Sequence, residues 1–238
     1  MENNIGKLFL IPATIGDAPA EFFLPPAVIE ITDKLRDFIV EDQRTARRYL
    51  RSIGFKHDFD QVRFHELNKH QPEEGLDSFL NAIHQGRDIG LLSEAGVPCV
   101  ADPGGLVVAL AQRKNIRVVP LVGPSSIILA LMASGFNGQN FAFIGYLPVD
   151  KNERHKTIKR VENLCYQLNQ THIFIETPYR NQALFEDLLK VCKPGTRLCI
   201  ASNITCQDEL IKSMPVREWE KQALVLQKKP TIFLLYRD

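Results

Sequence analysis

Short apolar runs alternate with segments of helical periodicity over the first 120 residues, and this alternation limits the possible folds more than any other feature. A helix between two strands returns the chain to the side of the sheet where it started, so consecutive strands run parallel. The pattern therefore predicts an α/β domain with a mostly parallel sheet and helices on both faces. The predicted strands are residues 6–12, 37–40, 62–65, 89–92 and 116–119. The helices between them are predicted from Pro25 onward, at 45–53, at 73–85 and at 106–114.

The second half of the chain has fewer crossovers and longer connections, which predicts a mixed sheet. Its predicted strands are residues 141–144, 173–176, 197–201 and 231–236, and its predicted helices are 127–133, 151–168, 181–191 and 216–226. A turn rich in glycine and proline at 120–126 interrupts the earlier alternation. We therefore predict an N-terminal α/β domain at 1–121 and a C-terminal α/β domain at 122–238.

The composition is that of an ordinary globular enzyme, with 45% hydrophobic and 24% charged residues, and it excludes a disordered or fibrous chain. No apolar run is long enough to span a bilayer, and the first residues lack the basic start of a signal peptide, so we expect a cytoplasmic protein with no membrane partner. The five cysteines are scattered and include no Cys-x-x-Cys pair. Neither a disulfide framework nor a metal site is expected.

The net charge of +1 means that any binding of nucleic acid depends on local basic patches. One patch contains Arg44, Arg47, Arg48 and Arg51 in a run without acidic residues. The other contains Lys151, Arg154, Lys156, Lys159 and Arg160, diluted only by Glu153. A solvated helix face explains either patch equally well.

The stretch at 91–105 places two prolines, three glycines and two carboxylates between a predicted strand and a predicted helix. Glycine allows close approach of the backbone to a ligand, and proline keeps the loop rigid. Asp102 and Pro103 suit the cap and first turn of the helix. These features predict a ligand at the carboxyl edge of the sheet, although an ordinary βα connection has a similar composition.

Common catalytic signatures are absent: the dinucleotide-binding and P-loop glycine motifs, the serine-hydrolase elbow and the zinc-protease helix. What remains is a set of Gly/Pro loops at several strand ends. Such loops can enclose a small ligand through backbone groups.

Seven motifs, taken together and in order, resemble the tetrapyrrole-methylase superfamily, and most closely its branch that methylates ribose 2′-hydroxyls of small-subunit ribosomal RNA. They are IPATIGD (11–17), EDQRTARRYL (41–50), FHELNK (64–69), LLSEAGVPCVADPGG (91–105), VVPLVGPSSIILALMASG (118–135), FIGYLP (143–148) and FIETPYR (174–180). The resemblance implies two α/β domains, S-adenosylmethionine in the cleft between them, a homodimer, and ribosomal RNA or the small ribosomal subunit as partner.

Carried over to this sequence, the resemblance implies a cofactor site made of Ser93, Glu94, Ala95, Val97, Pro98, Asp102, Pro124, Ser125 and Ser126. Polar corners after two strands of the first sheet face the substrate in this family. There, Asp42 or His65 is a candidate to accept a proton from a hydroxyl, and Arg44 and Arg47 to hold phosphate. Asn68, Tyr179 and Arg180 are further candidates for contact with a nucleotide. The simpler alternatives are that Asp42 caps a helix, that Ser125 and Ser126 cap another, and that the histidine is structural.

Some positions depart from the pattern of the ribosomal branch and leave the substrate open. They are Thr14 and Asp17 in the first loop, residues 201–205, and Lys228 to Pro230. Two alternatives therefore stand beside methylation of ribosomal RNA. One is C-methylation of a corrin or porphyrin precursor, and the other is a cofactor-binding module that has lost catalysis.

Overall fold

A computed structural model of the chain describes residues 5–67 and 75–237. The chain divides into two compact units, Met1–Ser125 and Ser126–Asp238, which we call unit 1 and unit 2. No helix in the described part of the chain has the length and apolar character needed to cross a membrane.

The sheet of unit 1 has five strands in the order β3-β2-β4-β1-β5. Every neighbouring pair is parallel, so the prediction of a mostly parallel sheet is confirmed. The predicted bounds of β2 and β4 agree with the structure residue for residue. The strands are β1 (Leu8–Ile11), β2 (Asp37–Val40), β3 (Arg63–Glu66), β4 (Ile89–Leu92) and β5 (Val118–Pro120).

Helices cover both faces of this sheet, as predicted. Alternate residues of a strand point to opposite faces, and β1 accordingly contributes Phe9 and Ile11 to one core and Leu8 to the other. The first core includes α2, and the second includes α3, α4 and α5. The helices are α1 (Pro26–Lys34), α2 (Gln43–Ser52), α3 (Leu76–Phe79), α4 (Asn81–His84) and α5 (Gly104–Arg113).

The single helix predicted at 73–85, whose first two residues lie outside the described part of the chain, is interrupted at Leu80. This residue has a ψ of −2°, which is too far from the helical value to continue the regular hydrogen bonds, so α3 ends there and α4 begins. Leu76, Leu80 and Ile83 nevertheless share one core, which explains why their spacing indicated a single helix.

The strand order predicts a crevice at the carboxyl ends of β1 and β4. The connection from β1 passes β4 to reach β2, whereas the connection from β4 passes β1 to reach β5 on the other face. Where neighbouring strands send their connections in opposite directions, the loops separate and leave room for a ligand. The two loops touch at their base, where Ala13 N donates a hydrogen bond of 2.8 Å to Gly96 O.

The sheet of unit 2 also has five strands, in the order β6-β7-β10-β8-β9. Strands β6 and β7 are parallel and the other pairs are antiparallel, so the predicted mixed sheet is confirmed. The elements are α6 (Ser126–Ser134), β6 (Phe141–Tyr146), α7 (Lys151–Leu168), β7 (Thr171–Ile175), α8 (Asn181–Val191), β8 (Arg197–Ser202), β9 (Leu210–Pro215), α9 (Val216–Trp219) and β10 (Thr231–Tyr236).

Two details of unit 2 differ from the prediction. Strand β9, which pairs with β8 along its whole length, was not predicted. The predicted helix at 216–226 is wrong beyond Trp219, whose indole Nε1 donates to Leu198 O and ties the short helix to the sheet. Leu226 is fully buried in the loop that follows, so an apolar spacing that resembles a helix here belongs to a packed loop.

Candidate active site

The loop after β4 has an unusual backbone. Gly96, Cys99 and Ala101 have φ angles of +67°, +69° and +62°, so two residues with side chains adopt the left-handed conformation. That conformation is uncommon for residues other than glycine, and it recurs in loops that hold a functional geometry. The loop is therefore held in a specific shape by its surroundings.

The carboxylate of Asp102 holds this shape. Its Oδ2 accepts a hydrogen bond of 2.7 Å from Cys99 N, and its Oδ1 accepts one of 2.7 Å from Gly104 N, at the first residue of α5. Pro103 occupies the cap position, so Asp102 lies one residue earlier than a conventional cap. Burial raises the pKa of Asp102 above its ordinary value, although these backbone N–H groups stabilise the ionised form.

Cys99 is the thiol nearest to this carboxylate in the loop. Burial, together with the charge of Asp102, raises the pKa of Cys99 to about 12. A thiol with such a pKa is protonated at neutral pH and is a poor nucleophile. Covalent catalysis by Cys99 is therefore not supported.

The loop after β5 packs closely against the loop after β1. A Cβ atom on Gly123 would lie 2.2 Å from Pro12 Cβ, so only glycine fits at this position. Pro124 O lies 3.1 Å from the position that a Cβ on Gly96 would take. Three loops thus meet at the carboxyl edge, and their residues Val100 and Val122 are 45% and 72% exposed.

A cavity of about 490 Å³ lies between residues 13–21 and helix α2. Its walls include Thr45, Arg48, Tyr49 and Glu94, together with the small residues of the first loop. The volume lies within the range of small-ligand sites. The guanidinium of Arg48 and the carboxylates of Asp17, Glu21 and Glu94 make its lining charged, with three acidic groups to one basic group.

Beside it is a recess of about 20 Å³, room for about one water molecule, lined by Asp42, Thr45, Ser93 and Glu94 among others. Thr45 Oγ1 donates to Glu94 Oε1 at 2.7 Å, and Thr45 N donates to Asp42 Oδ1 at 2.8 Å. Asp42 is therefore the cap of α2, and it also lies at the recess.

Helix α2 presents Arg44 and Arg47 to solvent. The guanidinium of Arg47 lies over the rings of Phe59 and Phe64, 5.5 and 5.3 Å from their centroids. The sequence analysis did not assign a site role to Thr45, Arg48 or Tyr49. Their spacing of three, six and seven residues from Asp42 could have indicated them, because it places all of them on one side of the helix.

The structure does not bring His65 to either cavity. Its Nε2 lies 3.9 Å from Asp37 Oδ1, at the start of β2 and away from the carboxyl edge, and its ring lies against Phe79. Asn68 is outside the described residues.

The predicted residues of unit 2 lie at the beginnings of helices. Ser126 begins α6. Tyr179 and Arg180 lie between β7 and α8, where the side chain of Tyr179 is 76% exposed. Arg180 Nη2 donates to the buried carboxylate of Glu176 at 2.6 Å, so its charge is already paired. Among the described residues of the whole chain, no three His, Cys, Asp or Glu side chains converge to hold a metal ion.

A family model for the Tetrapyrrole (Corrin/Porphyrin) Methylases matches residues 28–220. The chain belongs to this family. The predictions of the tetrapyrrole-methylase superfamily and of a methyltransferase are thereby confirmed.

Curated relatives of this tetrapyrrole methylase have the name Ribosomal RNA small subunit methyltransferase I. The protein of Escherichia coli is 29% identical over 224 residues, which cover 93% of this chain and 74% of the relative. That of Pseudomonas aeruginosa is 30% identical over 213 residues, with 90% and 71% covered. That of Micromonospora olivasterospora is 32% identical over 209 residues, with 87% and 62% covered.

Solved structures of tetrapyrrole methylases share the fold. The methyltransferase CobJ superposes with a TM-score of 0.64 at 15% identity, covering 98% of this chain and 94% of its own. Uroporphyrin-III C-methyl transferase from Thermus thermophilus, solved with S-adenyl homocysteine, gives a TM-score of 0.57 at 18% identity, with 97% of both chains covered.

The residues at the crevice of this tetrapyrrole methylase fit S-adenosylmethionine. The loops contain Ser93, which lines the recess, Ser125, and the exposed apolar residues Val100 and Val122. An adenosine with a charged amino-acid tail requires both apolar and polar residues around it.

Proposed function

We propose that this chain is an S-adenosylmethionine-dependent methyltransferase that methylates ribosomal RNA of the small subunit at a ribose hydroxyl. The names of the curated relatives support the substrate class. The observation that carries the proposal is the position of the charged cavity, which shares Glu94 with the cofactor loop. A methyl donor at the loop and a hydroxyl at the cavity would therefore be neighbours.

We assign the cofactor to the loops at the carboxyl edge and to the chain that follows them into α6. Asp102 acts through the loop that it holds, because both of its oxygens already accept backbone hydrogen bonds. When bound, S-adenosylmethionine supplies a methyl group activated by the sulfonium charge. The proposed cofactor residues are Ser93, Glu94, Ala95, Val97, Pro98, Asp102, Pro124, Ser125 and Ser126.

The polar residues at the cavity are assigned to the substrate. Asp42 and Glu94 line the same recess, and this supports the proposal that Asp42 accepts the proton of the ribose hydroxyl that the activated methyl group would modify. Arg44 and Arg47 hold phosphate, and Arg48 extends this role into the cavity. The remaining tasks of the protein are to align the reacting atoms and to exclude water.

Roles for His65, Asn68, Tyr179 and Arg180 stay predictions. So does the homodimer, which sedimentation of the purified protein tests directly. A substrate in the small ribosomal subunit supports a cytoplasmic site of action.

Transfer of tritiated methyl groups tests the proposed function. Purified protein is incubated with labelled S-adenosylmethionine and small subunits from cells that lack the gene, followed by analysis of the labelled nucleosides. We expect label in one 2′-O-methylated nucleoside. Label in a tetrapyrrole precursor and none in RNA would contradict the proposal, and so would calorimetric uptake of S-adenosylhomocysteine with no transfer to either substrate.

A further inference from the structure

Helix α2 carries a stripe of four exposed arginines, which we call the arginine stripe: Arg44, Arg47, Arg48 and Arg51. Their spacing of three to four residues places them along one side of the helix. Within residues 5–67 and 75–237, none of the four forms an ion pair with a carboxylate, although the chain has 28 acidic for 29 basic residues. Unneutralised positive charge is therefore concentrated on one helix.

Aromatic rings orient part of this charge. The guanidinium of Arg51 lies 4.2 Å from the centroid of Phe59 and also donates to Phe55 O at 2.7 Å. Arg47 lies over the same Phe59 ring and over Phe64. A solvated helix face does not require such fixed side chains. A guanidinium held in place loses less conformational entropy when it binds an anion.

The arginine stripe adjoins the 490 Å³ cavity. Arg48 belongs to both, and Thr45, Tyr49 and Ser52 of the same helix line the cavity wall. A chain of phosphates lying along α2 would therefore run past the cavity mouth. A paired base could not enter such a cavity, whereas an unpaired nucleotide can turn away from its neighbours.

We propose that the arginine stripe and the cavity form one binding site for single-stranded RNA. The phosphates lie along α2 on the four arginines, and one nucleotide enters the cavity, where Glu94 accepts a hydrogen bond from its ribose. Thr45 holds Oε1 of Glu94, and no further hydrogen bond to this carboxylate is found in the part of the chain that the structure describes. The inference rests on the proposed function, since it names the surface on which that substrate binds.

Fluorescence anisotropy with a short labelled single-stranded RNA tests the site without any need for catalysis. In R47Q/R51Q we expect affinity to fall about tenfold at low salt, and the slope of log K against log salt to fall by about 1.4, as for the loss of two phosphate contacts. R47K/R51K should keep most of the slope. The matched control is K159Q/R160Q, which removes two exposed charges from α7 in unit 2 and should bind like the parent.

Calorimetric binding of S-adenosylhomocysteine shows that each variant is folded. Equal affinity of R47Q/R51Q and the parent for RNA would overturn the inference, and so would an equal loss in K159Q/R160Q or tighter binding of duplex RNA than of single strands. Methyl transfer by the parent protein separates the two proposals. If it labels ribosomal RNA while the stripe variant binds normally, only the inference fails. If it labels none while binding depends on the stripe, only the proposed function fails.

Discussion

Charged residues are used differently in α2 of unit 1 and in α7 and α8 of unit 2. The arginines of α2 are exposed and have no carboxylate partner among the described residues. In unit 2, Arg154 and Asp187 are 8% and 5% exposed, and Arg154 donates twice to Asp187 Oδ2, at 2.8 and 2.6 Å. An unpaired buried charge is very unfavourable, so loss of either partner is expected to destabilise the fold. An exposed unpaired set contributes little to folding and remains available for a ligand.

The loops of the two units also differ in what holds them in place. Arg154 also donates to Val149 O and holds the turn before α7, while His155 Nε2 contacts Asp187 Oδ1 at 2.7 Å. This network joins side chains of α7 and α8 to the backbone of the turn. The loops at the carboxyl edge of unit 1 are instead held by Asp102 and by contacts around Gly123, and their apolar tips remain exposed. We therefore expect damage in unit 2 to affect stability and damage at the edge to affect cofactor binding.

The largest effect is expected for D187N, which leaves Arg154 buried without its charge partner. We predict a loss of about 3 kcal/mol in the free energy of unfolding, measured by urea titration at pH 7. The control K156Q removes an exposed ion pair with Glu153 and should cost less than about 0.5 kcal/mol. Equal costs for both variants would remove the distinction between paired and unpaired charge.

The pH dependence of stability gives an independent check on Asp187. Burial alone would raise its pKa, but hydrogen bonds from His155 and Arg154 outweigh burial, and the pKa is lowered. A lowered pKa in the folded state stabilises the protein above the unfolded pKa of about 3.9, and this contribution is lost as the pH falls through the folded value. The parent should therefore lose more stability than D187N between about pH 5 and about pH 2.

For G123A we expect a smaller loss of stability than for D187N, together with a loss of affinity for the cofactor. The added Cβ would overlap Pro12, which forces two loops of the crevice apart. We predict a cost of about 1–3 kcal/mol in stability and a reduction of about tenfold in affinity for S-adenosylhomocysteine by calorimetry. G138A, where no atom lies within 4 Å of the new Cβ, is the control. Normal cofactor affinity in G123A would show that the crevice is not the binding site.

The smallest effect is expected for Y49F. The Tyr49 hydroxyl donates to Pro12 O at 2.6 Å, and burial raises its pKa above the ordinary value, so the group stays a neutral donor. Its loss leaves the carbonyl unpaired and should cost about 1 kcal/mol by urea titration. S52A, which removes a hydroxyl donating to Tyr49 O at an exposed position, should be nearly neutral. A cost for S52A as large as that for Y49F would argue that the cavity wall is sensitive to any change.

Strong local patterns were sufficient for much of the fold. The runs at 37–40 and 89–92 became β2 and β4 without a shift, and helices α7 and α8 begin and end where their apolar spacing indicated. Strand β9 was missed because it lies at the edge of its sheet. Its residues are mostly half-buried, and the alternation of apolar and polar residues is correspondingly weak.

The sequence indicated the loops of the candidate site but not the contacts that its side chains make. Glycine, proline and carboxylate at 91–105 indicate a rigid loop whatever the partner, because their conformational limits are properties of the residues themselves. Contacts between different segments decide the rest. They bring His65 close to Asp37, let Asp102 hold backbone N–H groups, and place Arg48 and Glu94 at one cavity.

The sequence by itself therefore determined the two α/β halves, the parallel sheet and the loop that follows β4, since each follows from local spacing and backbone chemistry. Only the tertiary structure decided which charges are paired and which remain free for a ligand. Pairing depends on distances between residues that are remote in the chain, as between Arg154 and Asp187, and no local pattern contains that information.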